Sequence, residues 1–315
     1  MTHPNSDDAK SLLQNPFQSM DIADNSILDT INGRYICGNC FKSRKFFCYT
    51  CFTPHPELEK TIPKVKLPIK VDIIKHKREI DGKSTAAHAA ILAQEDIRVY
   101  TYPDIPSYDN EKVVLIFPSH TALEIPQLFE NTKSDLNQIQ SDFDYECPKG
   151  IHKTTLLTSI PASYSKNDCD INFVESTELP ITKAVFIDST WNQSKGIYKD
   201  ERIRKLPCVV LQNRISQFWR HQKGSPRWYL ATVEAIHQFV VEVHLNAWGY
   251  KADYAGLNCC FTENSLEKYQ KLVSNSQRAY SGQYDNLLYF FQHMYKLIHT
   301  YYDHDNLYAY KRRML

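Results

Sequence analysis

The stretch Ala184-Val185-Phe186-Ile187-Asp188-Ser189-Thr190-Trp191-Asn192-Gln193 decides the fold expected for this chain. Its first four residues are apolar and are followed at once by small polar side chains. This pattern predicts a buried strand whose end opens into a loop. Open α/β sheets bind their ligands in the crevice at the carboxyl ends of the strands. The carboxylate, hydroxyls, indole and amides after Ile187 therefore predict a functional loop at that edge.

Two further segments have the same strand character. Residues 206–211 are a second buried-strand pattern, and residues 112–119 are a third, which ends in Phe117-Pro118-Ser119. A proline at that position ends the strand ladder and leaves the following amides free for a ligand, although it is also consistent with a simple strand terminator. Apolar residues at helical spacing predict an amphipathic helix over residues 232–246. Strands that alternate with helices place the chain in the α/β class.

The start of that helix carries polar groups of its own. Thr232 is placed to cap the helix, and Glu234 is placed in its first turn, where a carboxylate interacts favourably with the helix dipole.

Two Cys-x-x-Cys pairs lie near the N-terminus, separated by seven residues. Two such knuckles can place four thiolates tetrahedrally around one zinc ion, so the spacing predicts a structural Zn²⁺ site. The alternative is four unrelated buried thiols. Because the nine cysteines are odd in number and no secretory signal is recognisable, thiols and metal ligands are favoured over disulfides. The predicted ligands are Cys37, Cys40, Cys48 and Cys51.

Composition divides the remaining chain. Residues 1–32 are polar and are predicted to be a mobile tail with a short helix near its end. Residues 33–60 form the four-cysteine module, and residues 61–315 form the main domain. Within it, residues 120–182 are polar and lack periodicity, which predicts a partly mobile insertion. The apolar runs are too short for a membrane span.

The charge of the whole chain, +1, does not indicate a nucleic-acid-binding protein, but the local charge differs. Residues 195–227 carry nine lysines or arginines against two acidic residues. A basic segment of this kind can contact several phosphates, and it directly follows the predicted functional loop.

Asp188-x-Thr190-Trp191, combined with the segment from Leu230 to Ala235, resembles the DTW-domain family of tRNA-uridine aminocarboxypropyltransferases. Residues 187–193 and 218–224 are most similar to its eukaryotic type-one members. One departure is visible, since Ala231 stands where the family usually has serine, which removes a hydroxyl.

Family members also carry a His-x-x-Glu and an (Asn/Ser)-Thr motif, and these are similar to His76, Glu79, Ser84 and Thr85. From the residues alone, Ser84-Thr85 is favoured as a helix cap and His76 as a core histidine.

The resemblance implies a fold and a reaction. The fold is a SPOUT-like, knotted α/β domain with an N-terminal four-cysteine zinc module. The reaction transfers the 3-amino-3-carboxypropyl group of S-adenosyl-L-methionine to N3 of a tRNA uridine and releases methylthioadenosine. The expected target is D-loop position 20, and the expected location is the nucleus, with the cytoplasm as a second compartment.

The resemblance also implies roles for individual residues. Asp188 is the candidate acceptor of the N3 proton, although capping of its own turn is the competing interpretation. Trp191 stacks on a base or only fills the core. The candidate sets are catalytic Asp188, Thr190 and Trp191; cofactor-binding Leu115, Phe117, Pro118, Ser119, Asp188, Leu230, Thr232 and Glu234; and RNA-binding Arg204, Arg214, Arg220, His221 and Lys223.

Two other functions are consistent with the same sequence. A SPOUT-like RNA methyltransferase would use the same co-substrate through its methyl group. A zinc-ribbon adaptor would bind RNA without catalysis, and would then depend on the four cysteines and not on Asp188.

Overall fold

A central parallel sheet carries the three apolar strands expected from the sequence. The computed structural model describes residues 15–130, 176, 178–219 and 229–301. Its strands and helices, in chain order, are β1 (Tyr35–Ile36), β2 (Ser43–Arg44), β3 (Phe47–Cys48), β4 (Thr53–Pro54), β5 (Lys70–Lys75), α1 (Ala86–Leu92), β6 (Ile97–Thr101), β7 (Val113–Ile116), β8 (Leu123–Glu124), α2 (Ile125–Glu130), β9 (Lys183–Asp188), α3 (Trp191–Tyr198), α4 (Glu201–Arg204), β10 (Cys208–Val210), α5 (Thr232–Trp248), α6 (Leu257–Cys260), α7 (Glu263–Glu267) and α8 (Tyr289–Tyr301).

The sheet has six strands in the order β6-β5-β9-β7-β10-β8, and each adjacent pair is parallel. Alternate residues of each strand pack on opposite faces. Phe186 of β9 belongs to the larger core, which includes α1, α5 and α8, whereas Val185 packs with residues of α3 and α4 on the other face. Burial on both faces explains why these strands are near-continuous apolar runs in the sequence. The predicted α/β class is therefore confirmed.

The register brings the functional motifs to one edge of the sheet. β5 and β9 run side by side so that Lys75 lies opposite Asp188. β7 pairs with β9 through Leu115 and Val185, and the chain leaves β7 at Ile116, directly before Phe117. Because parallel strands share a direction, the polar ends of β5, β7 and β9 meet at the same carboxyl edge.

The N-terminal segment differs from the predicted mobile tail over residues 15–31. Phe17 and Leu28 are 2% and 1% exposed, and a 3₁₀ helix at Ser26–Thr30 lies where a short helix was expected. The Asn25 amide donates a hydrogen bond to the Gln292 side chain at 2.8 Å. Gln292 lies 267 residues away in the chain, so the polar composition of the N-terminal segment did not indicate that it packs on the domain. Residues 1–14 lie outside the described part of the chain.

The predicted polar insertion begins later than residue 120. Residues of β8 pair with β10 at the edge of the central sheet, and Ile125 and Leu128 of α2 are completely buried. Within the rest of the predicted insertion, residues 131–175 and 177 lie outside the described ranges, and Ile181, near its end, is 2% exposed. Two buried apolar residues in a short amphipathic turn are too weak a pattern to be recognised without the sheet beside them.

The four-cysteine module packs tightly on the main domain. Phe46 contacts His293 of α8 with ring centroids 5.0 Å apart, and Phe47 contacts Phe290 at 4.7 Å. Phe47 also lies 5.4 Å from the His88 ring of α1. These aromatic side chains are part of the common core.

The central helix α5 has 17 residues and is buried on nearly all sides. It nevertheless carries several polar side chains in the interior, among them Glu234, His237 and Glu242 at 0% exposure. The sequence predicted the position of this helix but not its burial, since an amphipathic helix was expected. Its N-cap is Ala231 and not Thr232, which is the first helical residue. Within the described ranges, no helix combines the length and apolar character needed to cross a bilayer.

Glu242 makes stability depend on pH. Its carboxylate accepts hydrogen bonds from the Gln212 backbone, the Gln238 amide and the Tyr269 hydroxyl, but burial still raises its pKa to about 7. Between its ordinary pKa of 4.5 and about 7, the folded protein binds a proton that the unfolded chain does not. The contribution of Glu242 to stability therefore falls as the pH rises through this window.

We expect the Glu242→Gln variant to lack this dependence. The free energy of unfolding of the variant minus that of the wild type should increase by on the order of 3 kcal/mol from about pH 5 to about pH 8. Urea denaturation of both proteins across this range measures the difference, from which the other titrating groups cancel. Parallel stability curves for the two proteins would contradict the assignment.

Candidate active site

Asp188, the last residue of β9, lies at the centre of three sequence motifs. Its Oδ2 accepts a hydrogen bond of 2.6 Å from the Ser84 hydroxyl, and its Oδ1 accepts one of 2.6 Å from the Thr232 hydroxyl. These partners are 104 and 44 residues away in the chain. The structure thus joins Asp-x-Thr-Trp, Ser84-Thr85 and the start of α5 into one cluster.

The Asp188 carboxyl is 5% exposed, and this burial raises its pKa above the ordinary carboxyl range. The hydroxyls of Ser84 and Thr232 act in the opposite direction and lower the pKa, since they stabilise the carboxylate. A buried carboxylate with a raised pKa is a stronger proton acceptor than one in water. A substrate has limited direct access to this carboxylate, because each of its oxygens already accepts a hydrogen bond from a hydroxyl.

Ser84 and Thr85 connect the first turns of two helices. The Ser84 oxygen accepts a hydrogen bond of 3.0 Å from the Ala86 amide, which is the local capping contact that the sequence favoured. Its own proton goes to Asp188, so the same hydroxyl has a second, long-range partner. The Thr85 hydroxyl accepts a hydrogen bond of 3.2 Å from the Val233 amide at the start of α5. His76 lies half-buried at the end of β5, where its ring Nδ1 accepts from the Arg78 amide.

Thr190 and Trp191 begin helix α3. Thr190 is the N-cap, and its backbone amide donates to the Gln193 side chain at 3.1 Å. The Trp191 ring stacks on Phe117 with centroids 5.5 Å apart and an angle of 12°, and Phe117 stacks in turn on Tyr198 at 4.3 Å. Trp191 is half-buried and also contacts the Tyr229 ring at 5.6 Å. Packing is therefore one role of Trp191, and its remaining surface is available to a ligand.

The predicted cofactor residues divide into accessible and inaccessible groups. Pro118 is exposed, and Ser119 and Leu230 are half-buried near the carboxyl edge, whereas Phe117 is largely covered by its stacked neighbours. Leu115 is 0% exposed within β7, so its side chain shapes the core and does not reach a ligand.

Glu234 differs from the predicted cofactor contact. It is 0% exposed, and its oxygens accept hydrogen bonds from the Ser216 hydroxyl at 2.6 Å, the Gln217 amide at 2.8 Å and the Ala231 amide at 2.9 Å. With both oxygens occupied, Glu234 holds the segment after β10 against the start of α5. It is a positioning residue, and the sequence correctly placed it in the first turn of the helix.

The predicted RNA-binding residues have different outcomes. Arg204 is exposed. Arg214 is 2% exposed, and its guanidinium contacts the His237 Nδ1 at 3.2 Å, while His237 Nε2 contacts Asp285 at 3.0 Å. A buried guanidinium in such a network does not meet a phosphate on the surface, so the prediction for Arg214 is corrected. Arg220, His221 and Lys223 lie outside the described residues.

The four predicted cysteine ligands form one cluster. The sulfur atoms of Cys37, Cys40, Cys48 and Cys51 all lie within 4.8 Å of one another. Ligands about 2.3 Å from a tetrahedral Zn²⁺ are about 3.8 Å apart, so this cluster fits a zinc ion. Backbone amides lower the pKa of the Cys37 thiol to about 6, which favours the thiolate that a metal needs.

Each Cys-x-x-Cys pair adopts the same turn. Phe41 and Phe52, the residues after the second cysteine of each pair, have φ angles of 57° and 56°. The amide of Phe41 donates to Cys37 O, and that of Phe52 donates to Cys48 O, at 2.8 Å in both cases. A left-handed φ is uncommon for phenylalanine, and its repetition here indicates a backbone shaped to bring the four thiols together.

A chain of polar contacts connects this cluster to the carboxyl edge. Arg44 is 4% exposed and donates to the Cys48 sulfur at 3.4 Å and to the Thr50 hydroxyl at 3.0 Å. Thr50 donates to Asp81 at 3.0 Å, and Asp81 pairs with Lys75. Lys75 is the register partner of Asp188 on the neighbouring strand. The sequence did not predict this connection, because it joins Thr50 of the module to Asp81, 31 residues further along the chain.

Comparisons with known proteins agree with this architecture. Residues 45–299 match the DTW domain. The chain is 36% identical to tRNA-uridine aminocarboxypropyltransferase 1 of Xenopus laevis over 303 residues, which cover 92% of this chain and 90% of the relative. It is 38% identical to the protein of the same name from Homo sapiens over 292 residues, which cover 90% and 84%. No solved structure matches the chain significantly.

The match extends over most of the chain and includes Asp188, Ser84 and Thr232, the residues that meet at the carboxyl edge. On this match and on the identity with these relatives, the chain belongs to the DTW-domain family.

Proposed function

We propose that this protein is a tRNA-uridine aminocarboxypropyltransferase. It transfers the 3-amino-3-carboxypropyl group of S-adenosyl-L-methionine to N3 of a uridine, expected at D-loop position 20, and releases methylthioadenosine. The observation that carries the proposal is the buried Asp188 carboxylate held by Ser84 and Thr232 at the carboxyl edge of the sheet. The names of the relatives support the same reaction.

The reaction needs a proton acceptor and a positioned carbon. The N3–carbon bond forms as the carbon–sulfur bond breaks, and the electron pair of that bond goes to the sulfur, which becomes the neutral thioether of methylthioadenosine. The N3 proton leaves towards Asp188, whose raised pKa suits a proton acceptor. The sulfonium of the co-substrate activates its methyl carbon as well as the γ-carbon of the transferred group, so orientation decides which of them reacts.

The residues near Asp188 suit the parts of the co-substrate. The hydroxyls of Thr190 and Ser119 can contact its amino acid end, and Pro118, Leu230 and the exposed surface of Trp191 can contact its adenine. Asp188 and Thr232, whose carboxylate and hydroxyl are hydrogen-bonded to each other, complete this set of predicted cofactor residues.

A transfer assay with two labels tests the proposal. Unmodified tRNA is incubated with S-adenosyl-L-methionine labelled in the methyl group in one reaction and in the carboxyl group in another. We expect carboxyl label alone to enter the tRNA. Methyl label alone would show an RNA methyltransferase instead, and bound tRNA with neither label would favour the adaptor.

Three further elements belong to the proposal. The parallel sheet is compatible with a SPOUT-like arrangement that holds the co-substrate in a bent conformation within a knotted loop, and a co-crystal structure tests this. The cysteine cluster supports one structural Zn²⁺ per chain. Nuclear residence, with the cytoplasm as the second compartment, is tested by imaging the tagged protein.

A further inference from the structure

A cavity lies between the four-cysteine module and the main domain. Its walls come from Arg34 and residues 45–47 and 49 of the module, from residues 81–85 and 88 around the start of α1, and from Trp219 and Met294. Ser84 and Thr85 are among these lining residues. The cavity is therefore adjacent to the hydroxyl that donates to Asp188.

The size of the cavity suits one flat aromatic ring. Its volume is about 160 Å³. A cavity of roughly 150 Å³ accepts one six-membered aromatic ring. The cavity therefore has room for a single pyrimidine ring.

The walls have the chemistry of a site for a nucleotide. Phe47, Tyr49 and Trp219 supply aromatic surface, and Arg34, Lys45 and Lys83 are exposed cations around the opening. Aromatic side chains stack on unpaired bases, and cations beside them contact the phosphate backbone. Asp81 is the carboxylate among the lining residues, and it is paired with Lys75.

The aromatic walls are held in place. Arg44 covers the Tyr49 ring at 3.9 Å from its centroid, and a Cβ added to Gly82 would lie 3.2 Å from the Tyr49 Cζ. Trp219 packs one side of its ring on Phe291, with centroids 5.1 Å apart. A rigid aromatic cavity loses little entropy when it binds a flat ring.

We propose that this cavity receives the uracil base that the enzyme modifies, so that the four-cysteine module forms one wall of the substrate pocket. The inference rests on the proposed function and deepens it. The N3 edge of the base faces Ser84. The N3 proton passes to the Ser84 oxygen as the Ser84 proton passes to Asp188 Oδ2, and the N3–carbon bond forms as the carbon–sulfur bond breaks. This route explains how a carboxylate that is 5% exposed can act on a substrate.

Substitutions in the wall test the pocket. We expect Trp219→Ala to lower kcat/KM for tRNA by roughly 10- to 100-fold, because a stacked base loses its platform, and Trp219→Phe to remain within about 3-fold. The affinity for S-adenosyl-L-methionine, measured by calorimetry, should stay unchanged in both variants. Lys45→Ala, at the opening, should raise KM for tRNA, whereas Lys271→Ala, an exposed lysine outside the cavity, should not.

Photochemical cross-linking tests the position of the base directly and needs no variant. The uridine that the wild-type protein modifies is replaced by 4-thiouridine in the tRNA, and the complex is irradiated and digested. We expect the cross-linked peptides to contain residues 45–49, 83–88 or 219. Cross-links confined to other peptides, or a Trp219→Ala variant that weakens S-adenosyl-L-methionine binding and leaves KM for tRNA unchanged, would overturn the inference.

The failure of the inference differs from the failure of the proposed function. If the wild-type protein transfers the carboxyl label but the cross-links lie elsewhere, the proposed function stands and the proposed pocket is rejected. A wild-type protein that binds tRNA but transfers no carboxyl label removes the function, and the substrate pocket is rejected with it.

Discussion

The Asp188→Asn variant should keep its fold and its affinity for tRNA but lose turnover by roughly 10²- to 10⁴-fold, the usual contribution of a positioned acid or base. Asparagine has the shape of aspartate, and its amide can still bond to the hydroxyls of Ser84 and Thr232. It cannot take the N3 proton. Transfer of carboxyl label to tRNA measures the loss, and calorimetry with each substrate shows whether binding is retained.

The same substitution at an exposed carboxylate provides the control. Asp253 is exposed in the loop after the C-terminal end of α5, whereas Thr232 lies at the N-terminal end of that helix, so Asp253→Asn should transfer label at the wild-type rate. Full activity of Asp188→Asn would reject Asp188 as the proton acceptor. Unfolding of that variant would instead show that the carboxylate stabilises the contact between α1 and α5.

The pH dependence of the wild type gives an independent test. Burial raises the pKa of Asp188, and only the deprotonated carboxylate accepts a proton. The rate should therefore increase with pH through a transition that lies above the ordinary carboxyl value of 3.8. This acidic limb should be absent from the residual activity of Asp188→Asn.

The sequence was sufficient to predict the centre of the fold. Apolar runs that end in polar residues identified β7, β9 and β10, and the rule for parallel sheets placed Asp188 at the carboxyl edge, where the structure has it. The cysteine cluster followed from spacing alone, because two knuckles and one tetrahedral ion leave few other geometries. In both cases, a local pattern specifies the structure.

Residues whose environment depends on distant partners could not be predicted in the same way. Arg214 lies in a basic segment of the sequence, but its guanidinium is buried and contacts His237, which in turn contacts Asp285. Glu234 has the position of a cofactor ligand, but the loop after β10 occupies its carboxylate. Charge in a sequence does not indicate burial, because burial is decided by which elements pack together.

Loss of the metal should have the largest effect on the protein. Purified protein is expected to contain one zinc per chain, and Cys48→Ser should lose it, because serine does not replace a thiolate ligand of a closed site. Zinc binding contributes about 10–16 kcal/mol of folding free energy in small zinc modules. The module of residues 33–60 should therefore lose its structure, and transfer to tRNA should fall below detection.

The consequence for activity follows from the contacts of the module. Cys48 accepts a hydrogen bond from Arg44, which also holds Thr50, and Thr50 bonds to Asp81 in the loop before Ser84. Without the metal, this chain of contacts and the packing of Phe47 on Phe290 are both weakened. The loop that presents Ser84 to Asp188 then loses its support from one side.

Cys259→Ser is the matched control for this prediction. Cys259 is a half-buried thiol of α6 outside the cysteine cluster, so the variant should keep one zinc per chain and its activity. Metal analysis, circular dichroism and the transfer assay are made on the three proteins in parallel. If the adaptor hypothesis were correct, Cys48→Ser would abolish cellular function while Asp188→Ala left it intact. A Cys48→Ser protein that is free of zinc, folded and active would show that the reaction does not need the metal. The contacts between the module and Ser84 would then form without it.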